Sequence, residues 1–112
     1  MDAHILVMTN LPDALLAEQI ARSLLEQKLI ACANILPGIK SLYRWQETVE
    51  TADECALWLK TTGANYDEVE QQILLHHPYA LPEVIALPIV RGLPGYLNWI
   101  EAETRKNDYG KS

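Results

Sequence analysis

Two adjacent histidines, His76 and His77, stand immediately before Pro78. Imidazole is the commonest nitrogen ligand for transition metals, and it suits copper. Neighbouring residues on a helix point about 100° apart, so a regular helix would not let both rings hold one ion. Pro78 biases His77 away from helical backbone, however, which lets the second side chain swing. The competing reading is structural: a histidine that packs at a helix C-terminus and interacts with the helix dipole. Met8 supplies a thioether, a soft donor for Cu(I), although a methionine in a strand also serves as core filler. Glu54, Trp58 and Lys60 form a third group, because their even spacing puts them on one face of a strand together with Ala56. A cleft-facing lysine beside an acid and an aromatic ring would anchor an anion or small ligand. The plainer alternative for that lysine is an ion pair at a subunit interface.

The remaining reactive side chains carry less. Cys32 lies between Ala31 and Ala33 and reads as a small buried hydrophobe, and Cys55, alternating with Leu57, reads likewise. Glu47, Glu50, Asp53 and Glu54 place four acids within eight residues, the pattern of a solvated hairpin face. There is no glycine-rich phosphate loop, no Gly-x-Ser-x-Gly and no Cys-x-x-Cys. The motifs therefore assemble no catalytic triad and imply no organic cofactor, and a protein that is not an enzyme is expected.

These residues must be positioned by a short chain. At 112 residues and 12.6 kDa it has the length of one domain, 1–112, long enough to bury a core without staples. Hydrophobic residues at 49% and charged residues at 21% are those of an ordinary globular protein, which argues against disorder. A net charge of −6 argues against nucleic acid and anionic membrane surfaces as partners. Two cysteines are too few for a disulfide scaffold, and no signal peptide or membrane-length apolar run is evident. A cytoplasmic protein is the expectation.

Along the chain, His4–Thr9 is an apolar run that suits a buried strand, and Asn10-Leu-Pro-Asp13 carries helix-entry signals. Leu16, Ile20, Ala21, Leu24 and Leu25 recur at helical spacing up to Lys28. A second apolar stretch from Leu29 breaks at Pro37-Gly38 and resumes to Trp45, which reads as a strand with a kink or bulge. Gln46-Glu47 is a turn, and Thr48–Thr62 is one long strand. Asn65 can cap a helix bearing Tyr66, Val69, Ile73 and His76, which ends at His77. Glu83–Val90 reads as a strand, and Tyr96, Leu97, Ile100 and Thr104 mark a last short helix; the tail from Lys106 is polar and expected to fray.

The order β-α-β-β-α-β is the split βαβ, or ferredoxin-like, pattern of an α+β fold with an antiparallel sheet. Right-handed crossovers put strands one and three in the centre. Pro37 and Pro88 then fall on the predicted edge strands, where a missing donor is tolerated. Two features ask for a partner. Ile5–Met8 and Val84–Leu87 are apolar on both faces, although both main helices cover only one. The middle hairpin, residues 30–44 and 48–62, would extend about 50 Å and overhang the sheet, carrying Leu42, Tyr43, Trp45 and Val49 on its arm. The partner expected is another copy of the chain in closed symmetry, paired at the Pro37 edge and through Tyr43 and Trp45 on the arm.

Leu29-Ile-Ala-Cys-Ala-Asn-Ile-Leu-Pro-Gly38, Ser41-Leu-Tyr-Arg-Trp45, Leu59-Lys-Thr61, His76-His-Pro-Tyr79 and Pro82-Glu83 closely resemble the CutA family of divalent-cation tolerance proteins. The similarity runs in order from Val7 to Trp99. The resemblance implies a homotrimer of ferredoxin-like subunits, similar in shape to PII-type signalling proteins. It also implies a link to heavy-metal tolerance, and copper binding in some members. Two departures stand out: Met8 occupies a strand-end position where family members implicated in copper binding can carry cysteine, and Glu47 stands where glycine is common. Two functions follow as expectations. One is a trimeric protein that binds copper or a similar divalent ion weakly, through His76, His77 and Met8. The other is a PII-like sensor taking a small molecule or anion near Lys60, Glu54 and Trp58 in clefts between subunits.

Overall fold

The computed structural model describes residues 3–105. Its elements run β1 (His4–Leu11), α1 (Ala14–Glu26), β2 (Cys32–Trp45), β3 (Thr48–Thr62), a 3-10 turn at Gly63–Asn65, α2 (Tyr66–His76), β4 (Val84–Pro88) and α3 (Pro94–Glu103). They build one four-stranded antiparallel sheet of order β2-β3-β1-β4. The two proline-bearing strands are the edges, as the donor argument requires.

In β1 the alternation is strict. Ile5, Val7, Thr9 and Leu11 are buried, while His4, Leu6, Met8 and Asn10 on the other face are half-buried. The buried face packs with Leu57 and Leu59 of β3 against Ala17, Ile20, Ala21 and Leu24 of α1 and Val69 and Ile73 of α2. Asp13 caps α1 by accepting the Leu16 amide at 2.8 Å. Asn65 holds the cap position of α2 but does not cap it with its side chain. Its amide instead donates to Thr62 Oγ1 and to the Arg105 carbonyl, tying the end of the described chain to the start of α2.

The β2–β3 hairpin is the longest feature and gives the molecule its 48 Å dimension. Register slips between Leu36 and Ile39, where Pro37 removes a donor and Gly38 takes φ +79°. This is a bulge on an edge strand, and glycine provides its left-handed residue at little cost. Beyond the bulge Leu42, Tyr43, Trp45 and Val49 are all exposed, so the overhanging arm is present as expected.

At the arm's tip Gln46 and Glu47 have φ of 50° and 72°, the signs a tight type I′ turn demands. A residue with a Cβ pays about 1 kcal/mol or more for that backbone. Glu47→Gly is therefore expected to raise the thermal midpoint of unfolding, by about 1 kcal/mol of stability, and calorimetry checks it.

The sheet's other face is not wholly bare. α3 lies over one end of it, held by His4 Nε2 on Glu101 Oε2 at 2.6 Å, with Ile100 fully buried. The centre of that face, around Leu6, Met8, Trp58, Ile85 and Leu87, stays half-buried or exposed. Within the described residues it has nothing packed over it comparable to α1 and α2.

Candidate functional site

Pro78 ends α2 as its chemistry demands. His76 is the last helical residue, and His77 swings to extended backbone at φ −80°, ψ 131°. The swing carries the two imidazoles apart. His76 is exposed and lines a shallow groove with Leu16, Gln19, Ile20 and Ser23 of α1. His77 turns toward the end of β1, where Nε2 donates to the Asn10 carbonyl at 2.8 Å. Its Nδ1 accepts the Tyr79 amide at 3.3 Å, and its ring lies 4.8 Å from that of Tyr79. Both nitrogens of His77 are thus occupied, and the donor–acceptor pattern fits the neutral ring.

The turn that follows gathers groups from four elements. Tyr79 donates its hydroxyl to Glu54 Oε2 at 2.7 Å. Burial, reinforced by the Glu54 carboxylate, pushes that phenol up to about 12, so it remains a donor. Asn10 Nδ2 donates to Glu83 Oε1 at 3.4 Å. One corner therefore holds an imidazole, two carboxylates and a phenol at the C-terminal end of α2. That end of a helix carries partial negative charge and favours a cation.

Burial lowers the His77 pKa below 6.5, outweighing the opposing pull of its Asn10 bond and of Glu54. The unfolded chain therefore binds a proton on this ring that the folded chain resists. Stability should be complete above about pH 6.5 and fall as pH drops through 6.5 toward the lower folded value. Melting curves from pH 7.5 to 5.5 should show this loss, and His77→Gln should flatten it relative to the parent.

Met8 does not join the histidines. It sits on the sheet face opposite the helices, opposed by Trp58 and Ile85, whereas His76 lies over the helical face. The alternation of β1 forbids one subunit from bringing that thioether and His76 to one ion. Among the described residues no three His, Cys, Asp or Glu side chains gather closely enough to enclose a metal. Within one chain the described side chains therefore form no closed coordination sphere.

Glu54 and Lys60 share a strand face with Trp58, as their spacing implies, but they do not meet. Six residues of extended chain separate them by roughly 20 Å. Glu54 is taken by Tyr79, and Lys60 Nζ donates to Asn34 Oδ1 at 2.6 Å. Lys60 has no carboxylate partner among the described residues. Its neighbour is Cys32, which is half-buried on this outer face instead of in the core. Pro37, Tyr43 and Trp45 lie along the exposed β2 edge and arm. Glu47, Glu50 and Asp53 are solvated, as an acidic hairpin should be; Lys40 pairs Asp53 at 3.1 Å.

Tyr79, Asn10 and Glu83 were not singled out by residue type. The signal that could have flagged them is the unusual run of polar groups on both sides of Pro78, read together with the exit of β1. No helix among the described residues is long and apolar enough to cross a membrane.

The pattern of the CutA1 divalent ion tolerance protein family matches residues 5–103. A divalent-cation tolerance protein CutA of Thermus thermophilus is 40% identical over 98 residues, which are 88% of this chain and 95% of that one. A rice (Oryza sativa) CutA1 structure superposes with a TM-score of 0.90 at 38% identity, covering 94% of this chain and 96% of its own. The structure of a periplasmic divalent cation tolerance protein CutA from Archaeoglobus fulgidus gives 0.86 at 40% identity, covering 89% and 97%. With the sheet order, the long hairpin and these matches in agreement, the chain belongs to the CutA1 divalent ion tolerance family.

Proposed function

We propose that this chain is a cytoplasmic, non-enzymatic homotrimer that binds copper or a similar divalent ion reversibly at the C-terminal end of α2. The observation that supports this reading most is His76: an exposed imidazole, unpaired among the described residues, at the negative end of a helix dipole. His77, the next residue, supplies a second donor once its Asn10 and Tyr79 hydrogen bonds open, whereas Glu54 and Glu83 stay on the outer face of the sheet, away from His76. An open arrangement with shared donors suits weak, exchangeable binding, and a neighbouring copy or water would complete the sphere. Heavy-metal response follows from such buffering at the level of the family's description. The trimer reading rests on the half-exposed outer face at Met8, Trp58, Ile85 and Leu87 and on the apolar arm at Tyr43 and Trp45.

Calorimetric titration with Cu(II) tests the metal reading. The parent chain should bind, and His76→Ala/His77→Ala should lose most of the heat. Equal binding by both proteins would sink the site.

A second reading draws on Lys60, whose amine, among the described residues, meets the neutral Asn34 amide oxygen and the Cys32 sulfur and pairs with no carboxylate. It makes the outer face a subsite for a carboxylate or phosphate, in the manner of a PII-like sensor whose ligand lies between subunits. A thermal-shift screen of carboxylates and nucleotides distinguishes it: stabilisation lost in Lys60→Gln but kept in the histidine double variant supports the anion site.

A further inference from the structure

Cys32 and Lys60 are directly opposed across the β2–β3 ladder, so the register itself presses the two side chains together. Lys60 Nζ lies 4.0 Å from Cys32 Sγ. Asn34 Oδ1 holds the amine from one side at 2.6 Å, and Tyr96 of α3 lies near the cysteine. The other thiol, Cys55, is buried in the core face of the sheet. It cannot reach Cys32 for a disulfide without turning a strand over. Among the described residues, the reactive group beside the outer thiol is thus the primary amine of Lys60.

We propose that Cys32 and Lys60 form a peroxide-dependent, thiol-reversible covalent cross-link between β2 and β3. In the first step the sulfur attacks a hydroperoxide. An S–O bond forms, the peroxide O–O bond breaks, and water or an alcohol leaves. The sulfur is oxidised by two electrons to a sulfenic acid while the peroxide is reduced. In the second step the free amine of Lys60 attacks that sulfur. The S–N bond forms as the S–O bond breaks, and the departing hydroxide takes the amine proton as water. The product is a sulfenamide that has lost two hydrogens relative to the starting pair. Two equivalents of a thiol reductant return cysteine, lysine and a disulfide of the reductant. Sulfenic acids are known to condense with nearby nitrogen, and here the nitrogen is already in contact.

The link demands little of the fold, because it joins residues that are already opposed. Its consequence is electrostatic: a sulfenamide nitrogen is not basic, so oxidation removes one positive charge from the outer face. The inference does not depend on the copper reading or on the anion reading.

The test uses the full chain, treated with hydrogen peroxide in mildly alkaline buffer. Intact mass should fall by about 2 Da, and dithiothreitol should restore it. Trypsin should then fail to cut after Lys60, leaving the Cys32 peptide joined to the peptide that spans Lys60. Lys60→Arg keeps the charge but removes the nucleophilic amine. It should instead stop at a sulfenic acid that dimedone traps, and Cys32→Ser should show neither product. A dimedone adduct or sulfinic acid on Cys32 of the parent chain, with Lys60 still cleaved, would overturn the proposal. So would a loss of about 2 Da that persists in Lys60→Arg, because the linkage would then lie elsewhere.

Discussion

Light scattering of the parent chain at micromolar concentration is expected to return three copies of the 12.6 kDa polypeptide, and Trp45→Ala is expected to shift the population toward single chains. The physical case is the arm. Tyr43 and Trp45 are 45% and 43% exposed on a hairpin that extends past the sheet it comes from. Two aromatic rings held by rigid β-structure in solvent make poor decoration but good anchors, since an aromatic hot spot at an interface contributes about 2 kcal/mol or more. In a closed trimer the loss recurs at every interface, so a single substitution has a multiplied effect on assembly. Ile85→Lys on the outer face should act in the same direction by placing an unpaired charge where the partner would sit. A parent chain that scatters as one copy, or a Trp45 variant that assembles and melts like the parent, would remove the reason for the arm.

The second large effect concerns metal and pH. An imidazole must be neutral to coordinate, so copper affinity carried by histidine should fall about tenfold per pH unit below 6.5, and more steeply if two rings bind. Carboxylates keep their charge to about pH 4–5, so an ion held by Glu54, Glu83 or the acidic hairpin alone would stay bound through that range. His77 enters this profile differently from an exposed ring. Burial already favours its neutral form, but its lone pair at Nδ1 is engaged by Tyr79, and that bond must open first. His76→Ala should therefore cost more affinity than His77→Ala. Met8→Leu conserves volume and sits on the opposite face of the sheet, so it should leave both Cu(I) and Cu(II) titrations close to the parent. Titrations at a series of pH values check each of these. An affinity that is flat from pH 7.5 to 5 and untouched by either histidine variant would transfer the ion to the carboxylates.

What could be read from the chain, and what could not, divides along physical lines. Strand order followed from element order and handedness, and Pro37 and Pro88 agreed with it because a missing donor is a local property. The arm was visible because Leu42, Tyr43, Trp45 and Val49 are apolar beyond the length the other strands can cover. The site was only half visible. His77 was identified by type, but its partner is a backbone carbonyl, Asn10, and a carbonyl has no signature in sequence. The Tyr79–Glu54 bond joins residues 25 apart, and it exists only because the turn after Pro78 folds onto the outer face. Glu54 and Lys60 illustrate the opposite limit. Period-two spacing correctly put them on one face, but a shared face does not bring the two groups within reach of each other. Cys32 was misplaced because its alanine neighbours suggest a core that, in this register, lies on the alternate residues.

The most direct test of the metal reading is a crystal structure of copper-soaked protein with anomalous data collected at the copper edge. The expected result is a trimer in which an anomalous peak lies within bonding distance of the His76 imidazole at the C-terminal end of α2, with further donors from His77, water or a neighbouring copy. A copper peak confined to other residues, with His76 still free and His77 still on Asn10, would contradict it.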